Sequence, residues 1–230
     1  NVADASSYYF NKAARVLDVS ARMAELLTRP MREVKVQVPV EGDDGEVESF
    51  DGWLIQHDNT RVLGDCGLFQ GYKQLRERNW APFPVDPSTI DAVVLTHAHL
   101  DHSGYLPALV KQGFRGRIHC TYGSVALCGL LLPDSGHLLE EEAKYAARKG
   151  YSKHKEPRPL YTEDDAHRSL KQLKGHDYER DVEVAPGITV RFHPAGHILG
   201  AAHVSVDAQG QRLHFSGDLG RQQESLMNPP

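Results

Sequence analysis

Three imidazoles and a carboxylate, His97, His99, Asp101 and His102, stand within six residues of one another, directly after the apolar run in "TIDAVVLT". An apolar run bounded in this way reads as a short buried strand, which puts the histidines on the loop at its end. The His-x-His spacing sets two side chains on one side of an extended segment, and Asp-His follows at once, so four ligand atoms can converge without distant help. Neutral imidazole and carboxylate suit zinc, manganese or iron, whereas a thiolate site would have enlisted cysteine. The bland reading is a chance grouping among 13 histidines on a solvated loop. Placement straight after an apolar strand favours metal over chance.

Length and composition bound what surrounds this loop. The chain has 230 residues, 40% hydrophobic and 25% charged, which suits one large globular domain or two small ones. The formal charge of −5 supplies no global basic field, so any nucleic-acid binding must rest on a local patch. Cys66, Cys120 and Cys128 are odd in number and lack C-x-x-C spacing, which reads as reduced thiols in a cytoplasmic setting. No stretch approaches eighteen uninterrupted apolar residues, so no membrane association is expected, and the opening "NVADASSYYF" lacks the order of a signal peptide. The absence of an initiator Met reads as a processed or cut form.

Along the chain, residues 6–27 carry Phe10, Ala13, Ala14, Leu17, Ala21 and Ala24 at helical spacing, with Asp4, Ser6 or Ser7 as caps. Val34, Val36, Val38 and Val40 alternate with polar residues, "GDDG" supplies a turn, and residues 46–56 return. That predicts a hairpin with Pro39 at an edge. "TRVLGDCG" and "RGRIHCTY" read as strands, residues 124–132 and 138–148 as two helices, and "TEDDAHRSLKQL" as a helix opened by a capping box. "KGYSKHKEPRP" is a charged connector. "GITVRFHPAGH" and "AAHVSVDAQGQRLHFSGD" alternate like strands, with a tight turn at 208–210. His193 and His203 lie near His197 but read as surface or packing histidines. There is no internal repeat.

With these residues in view, "DAVVLTHAHLDHSGYLPAL" resembles the signature of the metallo-β-lactamase superfamily. "DCGLFQG", "FHPAGHILGAAHV" and "FSGDLGR" resemble its other motifs in the same order, and "RNWAPFPVDP", "DSGHLLEEEAKYAARKG" and "PLYTEDDA" are similar to its β-CASP branch, which hydrolyses phosphodiester bonds mostly in RNA. The resemblance covers about residues 62–230. It implies an α/β fold, an αββα sandwich of which the N-terminal half is present. It also implies two zinc sites: His97, His99 and His197 for the first metal, Asp101 and His102 for the second, and Asp218 bridging both. Together the ions would hold a hydroxide that attacks phosphorus. Asp101 and Asp218 are the implied catalytic carboxylates, with Asp65 orienting a ligand histidine; a turn-forming Asp before Gly67 is the equal alternative.

Two departures from the family pattern stand out. The second metal's further histidine and the proton donor come from the C-terminal half, so the chain ending at "ESLMNPP" is expected to lack them. Residues 6–59 instead resemble the N-terminal segment of glutamate dehydrogenases, with the long helix, a "P-x-R-x-V-x-V-x-x-P-V" strand and a "DDG" hairpin. The junction near Thr60 therefore reads as a chimera, natural or made, of a 1–60 segment and a 61–230 metal-binding region. No G-x-G-x-x-G follows, so dehydrogenase chemistry is not implied. Two function classes stay open: a two-metal phosphodiesterase acting on RNA or single-stranded nucleic acid, and a metal-binding fragment with little activity. A small-ester hydrolase of the same superfamily ranks third. The expected partners are the nucleic acid and either a second copy or a chain supplying the missing half.

Overall fold

The computed structural model describes residues 34–36, 39–41, 47–49, 52–57, 59–150, 156–208 and 210–221. The helix expected over 6–27 lies outside these residues. The chain divides into two compact units, Asn1–Val34 and Lys35–Pro230.

Twelve strands run in order among the described residues: β1 Val34–Val36, β2 Pro39–Glu41, β3 Val47–Ser49, β4 Gly52–His57, β5 Thr60–Gly64, β6 Ala92–Val94, β7 Arg117–Thr121, β8 Leu173–His176, β9 Asp181–Ala185, β10 Ile188–Pro194, β11 Ala202–Ala208 and β12 Gln211–Phe215. The helices are α1 Lys73–Glu77, α2 Leu100–Ser103, α3 Leu106–Lys111, α4 Tyr122–Lys149 and α5 Glu163–Leu170. A six-stranded sheet has the order β1-β4-β5-β6-β7-β8, a four-stranded sheet the order β12-β11-β10-β9, and β2 pairs with β3 alone. In the larger sheet β4 and β5 are antiparallel and β5 through β8 parallel, while the smaller one is antiparallel throughout.

Strand composition decides how the layers stack. Each of the three residues of β6 is buried, as suits a parallel strand covered on both faces. One face, with Val62, Ala92 and Val94, packs on Ile188, Val190, Phe192, Val204 and Val206 of the smaller sheet. The other, with Leu63, Val93, Leu95 and Ile118, packs on Leu106, Leu109, Cys128, Leu132 and Ala166 of the helices. The described layers therefore run helix, sheet, sheet, three of the four in an αββα sandwich. β10 and β11 alternate buried and half-buried residues over most of their length, which leaves the far face of the smaller sheet polar. The three cysteines are free and buried among these layers, and burial raises their thiol pKa values, so they serve as packing groups. No helix among the described residues is long and apolar enough to cross a membrane.

Three local expectations need correction. The helix expected over "TEDDAHRSLKQL" stops at Leu170, and Leu173 opens β8, where pairing with β7 overrides the helical pattern. Residues 46–56 do not form one returning strand: β3 pairs with β2, while β4 belongs to the six-stranded sheet. The Asp51-Gly52 dipeptide is the break signal between them. The two helices expected on either side of Pro133 are one helix of 28 residues. An interior proline costs about 3 kcal/mol. Burial of Cys128, Leu132, Ser135 and Gly136 outweighs it, since together they dock the middle of α4. A Cβ on Gly136 would come within 2.8 Å of the Thr162 and Glu163 backbone, so α4 and the start of α5 touch at main-chain distance. The capping box of α5 is present, Thr162 accepting from the Asp165 N–H and Asp165 from the Thr162 N–H.

Candidate metal centre

Every candidate ligand lies in a segment that follows a strand, but the expected loop holds only His97 and His99, since Asp101 and His102 stand on the short helix α2. His97, His99, Asp101 and His102 follow β6, His197 lies between β10 and β11, and Asp218 follows β12. Asp65 follows β5 with a positive φ of 51°. Close main-chain approach locks these loops together. Leu68 donates to the Leu100 carbonyl at 2.8 Å, and any Cβ on Gly67 would overlap the Asp101 carbonyl. Gly220 donates to the Ala195 carbonyl at 2.7 Å, and a Cβ there would overlap the Gly196 carbonyl. Glycine is thus required at 67 and 220 for lack of room, and the second contact fixes the Asp218 loop against the His197 loop.

The structure brings together all the site residues expected from sequence. His99 Nδ1 lies 3.0 Å from His97 Nε2 and 3.1 Å from His197 Nε2. One Asp218 oxygen, Oδ2, lies 3.4 Å from His197 Nε2 and 3.7 Å from His97 Nε2. One donor atom from each of these four residues fits within 4.8 Å of the others. The other Asp218 oxygen, Oδ1, lies 3.4 Å from His102 Nε2, and Asp101 Oδ2 lies 4.0 Å from that same nitrogen. Asp218 therefore turns its two oxygens towards two different groups of donors.

Behind these atoms stands a hydrogen-bond system that sets the tautomers. Asp65 Oδ1 accepts from the Thr96 N–H at 2.7 Å, and Oδ2 lies 2.8 Å from both Thr96 Oγ1 and His102 Nδ1. The hydroxyl proton goes to Asp65, so Thr96 Oγ1 accepts from His97 Nδ1–H at 3.1 Å. Both His97 and His102 are thereby left with an Nε2 lone pair directed at the cluster. Burial, with the neighbouring His102, His99 and His197, pushes the His97 pKa down to about 2 and keeps that ring neutral. Burial also pulls the His102 pKa down, but the hydrogen bond and charge of Asp65, with Asp101 and Asp218, outweigh it and leave the value raised. Thr96 is the participant that sequence reasoning missed. Its position directly before His97 was the available signal.

This donor set fits a metal ion. A tetrahedral ion with bonds of about 2.0–2.1 Å to nitrogen needs donor separations of about 3.3 Å, near the imidazole spacing found here. Without a cation, a single proton on His99 Nδ1 would have to serve two facing nitrogens. A cation takes all the lone pairs at once.

Comparison with known proteins agrees with this geometry. Residues 51–230 match the metallo-β-lactamase superfamily. The chain is 35% identical over 177 residues to Ribonuclease TTHA0252 of Thermus thermophilus, covering 77% of this chain and 36% of that protein. It is 29% identical over 216 residues to the transcription termination factor FttA of Methanocaldococcus jannaschii, covering 89% of this chain and 32% of the other. Endoribonuclease YSH1 of Gibberella zeae is 32% identical over 174 residues, covering 74% of this chain and 19% of that one. The chain thus spans about a third or less of the length of these relatives.

Proposed function

Because the chain belongs to the metallo-β-lactamase superfamily, we propose that it forms the metal-binding part of a hydrolase that cleaves phosphodiester bonds in RNA or single-stranded nucleic acid. The observation that carries the reading is Asp218, whose Oδ2 faces the His97–His99–His197 group while Oδ1 faces His102. A carboxylate turned both ways is what two neighbouring cations need, and zinc is the ion we assign from three imidazoles and one carboxylate. Ions held there would supply Lewis acidity and activate a water for attack on phosphorus. The protein's own contribution is orientation: Thr96 and Asp65 hold His97 and His102 with their Nε2 lone pairs directed at the cluster, and Gly220 holds Asp218 in place. The ribonucleases among the relatives support RNA as substrate. The four donors of the first group should hold an ion more tightly than Asp101, His102 and Asp218 Oδ1.

The test is RNA cleavage with added Zn²⁺ or Mn²⁺ by wild type and Asp218→Ala, alongside metal titration of both. The variant should stay folded, since Asp218 is half-exposed on a loop, and lose activity by about 10²-fold or more. Equal cleavage by both proteins would overturn the reading. So would a folded wild type that takes up no ion at the His97–His99–His197–Asp218 group.

A further inference from the structure

A second histidine group lies on the polar face of the four-stranded sheet, apart from the donors just described. His193 of β10 is the cross-strand partner of His203 of β11, and Ser205 of β11 that of His214 of β12. These four side chains share a face, opposite the one on which Phe192, Val204 and Val206 are buried. His193 and His203 rings stack with centroids 4.8 Å apart, and His203 and His214 lie at the same separation.

The hydrogen bonds here run in one direction. Glu179 Oε1 lies 2.7 Å from His193 Nδ1 and, as a carboxylate, can only accept. His193 Nε2 must then accept from Ser205 Oγ–H at 3.0 Å. With its proton committed, Ser205 Oγ accepts from His214 Nδ1–H at 3.1 Å. His214 is left with a lone pair on Nε2, 2.9 Å from Nδ1 of His203. The carboxylate–His–Ser start resembles a nucleophile triad, but a lone pair of Ser205 is already taken by His214, and its backbone lies within the β11 ladder, which leaves no main-chain donors for an oxyanion.

We propose that His203 Nδ1 and His214 Nε2 form a separate binding site for a borderline divalent transition ion, with water completing its shell. The two nitrogens already stand at the spacing of neighbouring ligands, and the Glu179–His193–Ser205 row holds His214 in the tautomer a metal requires. The same logic operates at His97, where a carboxylate acts through a hydroxyl. Binding needs no proton release: His203 moves its proton from Nδ1 to Nε2. Burial and the neighbouring histidines lower the pKa values of both rings, which keeps them neutral. His214 is exposed and His203 half-buried, so an ion reaches them from solvent. Imidazole donors select nickel, copper and zinc over magnesium and calcium.

Equilibrium dialysis against Ni²⁺ tests this. Wild type should hold one equivalent more than the His203→Gln/His214→Gln double variant, with RNA cleavage by the zinc-loaded protein unchanged. Ser205→Ala should weaken that equivalent roughly 10- to 100-fold. In wild type alone, Ni²⁺ should slow carbethoxylation of His203 and His214 several-fold, as mapped by mass spectrometry, whereas Mg²⁺ should not. Equal nickel stoichiometry in a folded double variant, or carbethoxylation of both histidines at an unchanged rate, would overturn the proposal.

Discussion

Replacing Thr96 by valine isolates the hydroxyl that joins Asp65 to His97. Valine keeps the shape of threonine, so the packing of Gly217 against the Thr96 side chain is preserved, as is the main-chain bond from Ala202 to the Thr96 carbonyl. Two hydrogen bonds go, one to Asp65 Oδ2 at 2.8 Å and one from His97 Nδ1 at 3.1 Å. Asp65 Oδ2 keeps His102 and Oδ1 keeps the Thr96 N–H, so the carboxylate remains partnered. His97 is fully buried and its Nδ1–H loses its acceptor, at a cost of about 1–3 kcal/mol. The ring can escape by moving the proton to Nε2, but that removes the lone pair from the cluster. The first route lowers stability with or without metal; the second makes metal binding restore the strained tautomer and weakens it by roughly 5- to 150-fold, since each 1.4 kcal/mol is about tenfold. Competition against a chromogenic zinc chelator measures this directly, and Thr96→Ser, which keeps the hydroxyl, should stay close to wild type. A folded Thr96→Val protein that binds zinc as tightly as wild type would refute the tautomer argument.

Gly220→Ala should cost about 1–3 kcal/mol in urea denaturation and reduce metal affinity and RNA cleavage more than it reduces stability, because its methyl group displaces the Asp218 loop from Gly196. Stability should also depend on pH through His119, which is 3% exposed, 3.0 Å from His176, and held at a pKa of about 4 by burial, His176, Lys174 and Arg117. The folded value lies below the unfolded 6.5, so the unfolded chain takes up the proton first; stability is unaffected above about pH 7 and falls as pH drops from 6.5 to 4, by about 3 kcal/mol in all. Urea midpoints across that range should fall less steeply in His119→Gln than in wild type, and parallel curves would contradict the assignment.

The ligand candidates were legible because His97, His99, Asp101 and His102 crowd six residues of sequence and because His197 and Asp218 sit in motifs of recognisable wording, although Asp101 and His102 stand on α2 and not on the expected loop. β5, β6 and β7 were legible in "TRVLGDCG", "TIDAVVLT" and "RGRIHCTY", and α5 by its Thr162–Asp165 capping box, whereas β8 was not, because its LKGH sequence carries one apolar residue and no alternation. Other features were hidden for physical reasons. Pro133 is a strong local signal against helix, but docking of Gly136 on the start of α5 is a tertiary effect that no local pattern carries. The tautomer roles of Thr96 and Ser205 depend on which atoms face each other across strands. His193 and His203, read as surface or packing histidines, are not among the donors that converge at the metal centre. Their cross-strand pairing and the participation of Glu179 emerge only from the β10–β11 register and the approach of residue 179.

The ligand candidates come from segments that follow strands of both sheets, and His97 and Asp218 stand 121 residues apart in the chain. An ion coordinated by both is topologically a removable staple between the two layers, closing a loop as a disulfide would, but with a strength set by free metal and pH instead of redox potential. Losing such an ion would leave each sheet's own ladder intact and would act first on the seam between them. The seam, with Val62, Val94, Phe192 and Val204 along it, is therefore where an ion held by both layers would add to their cohesion.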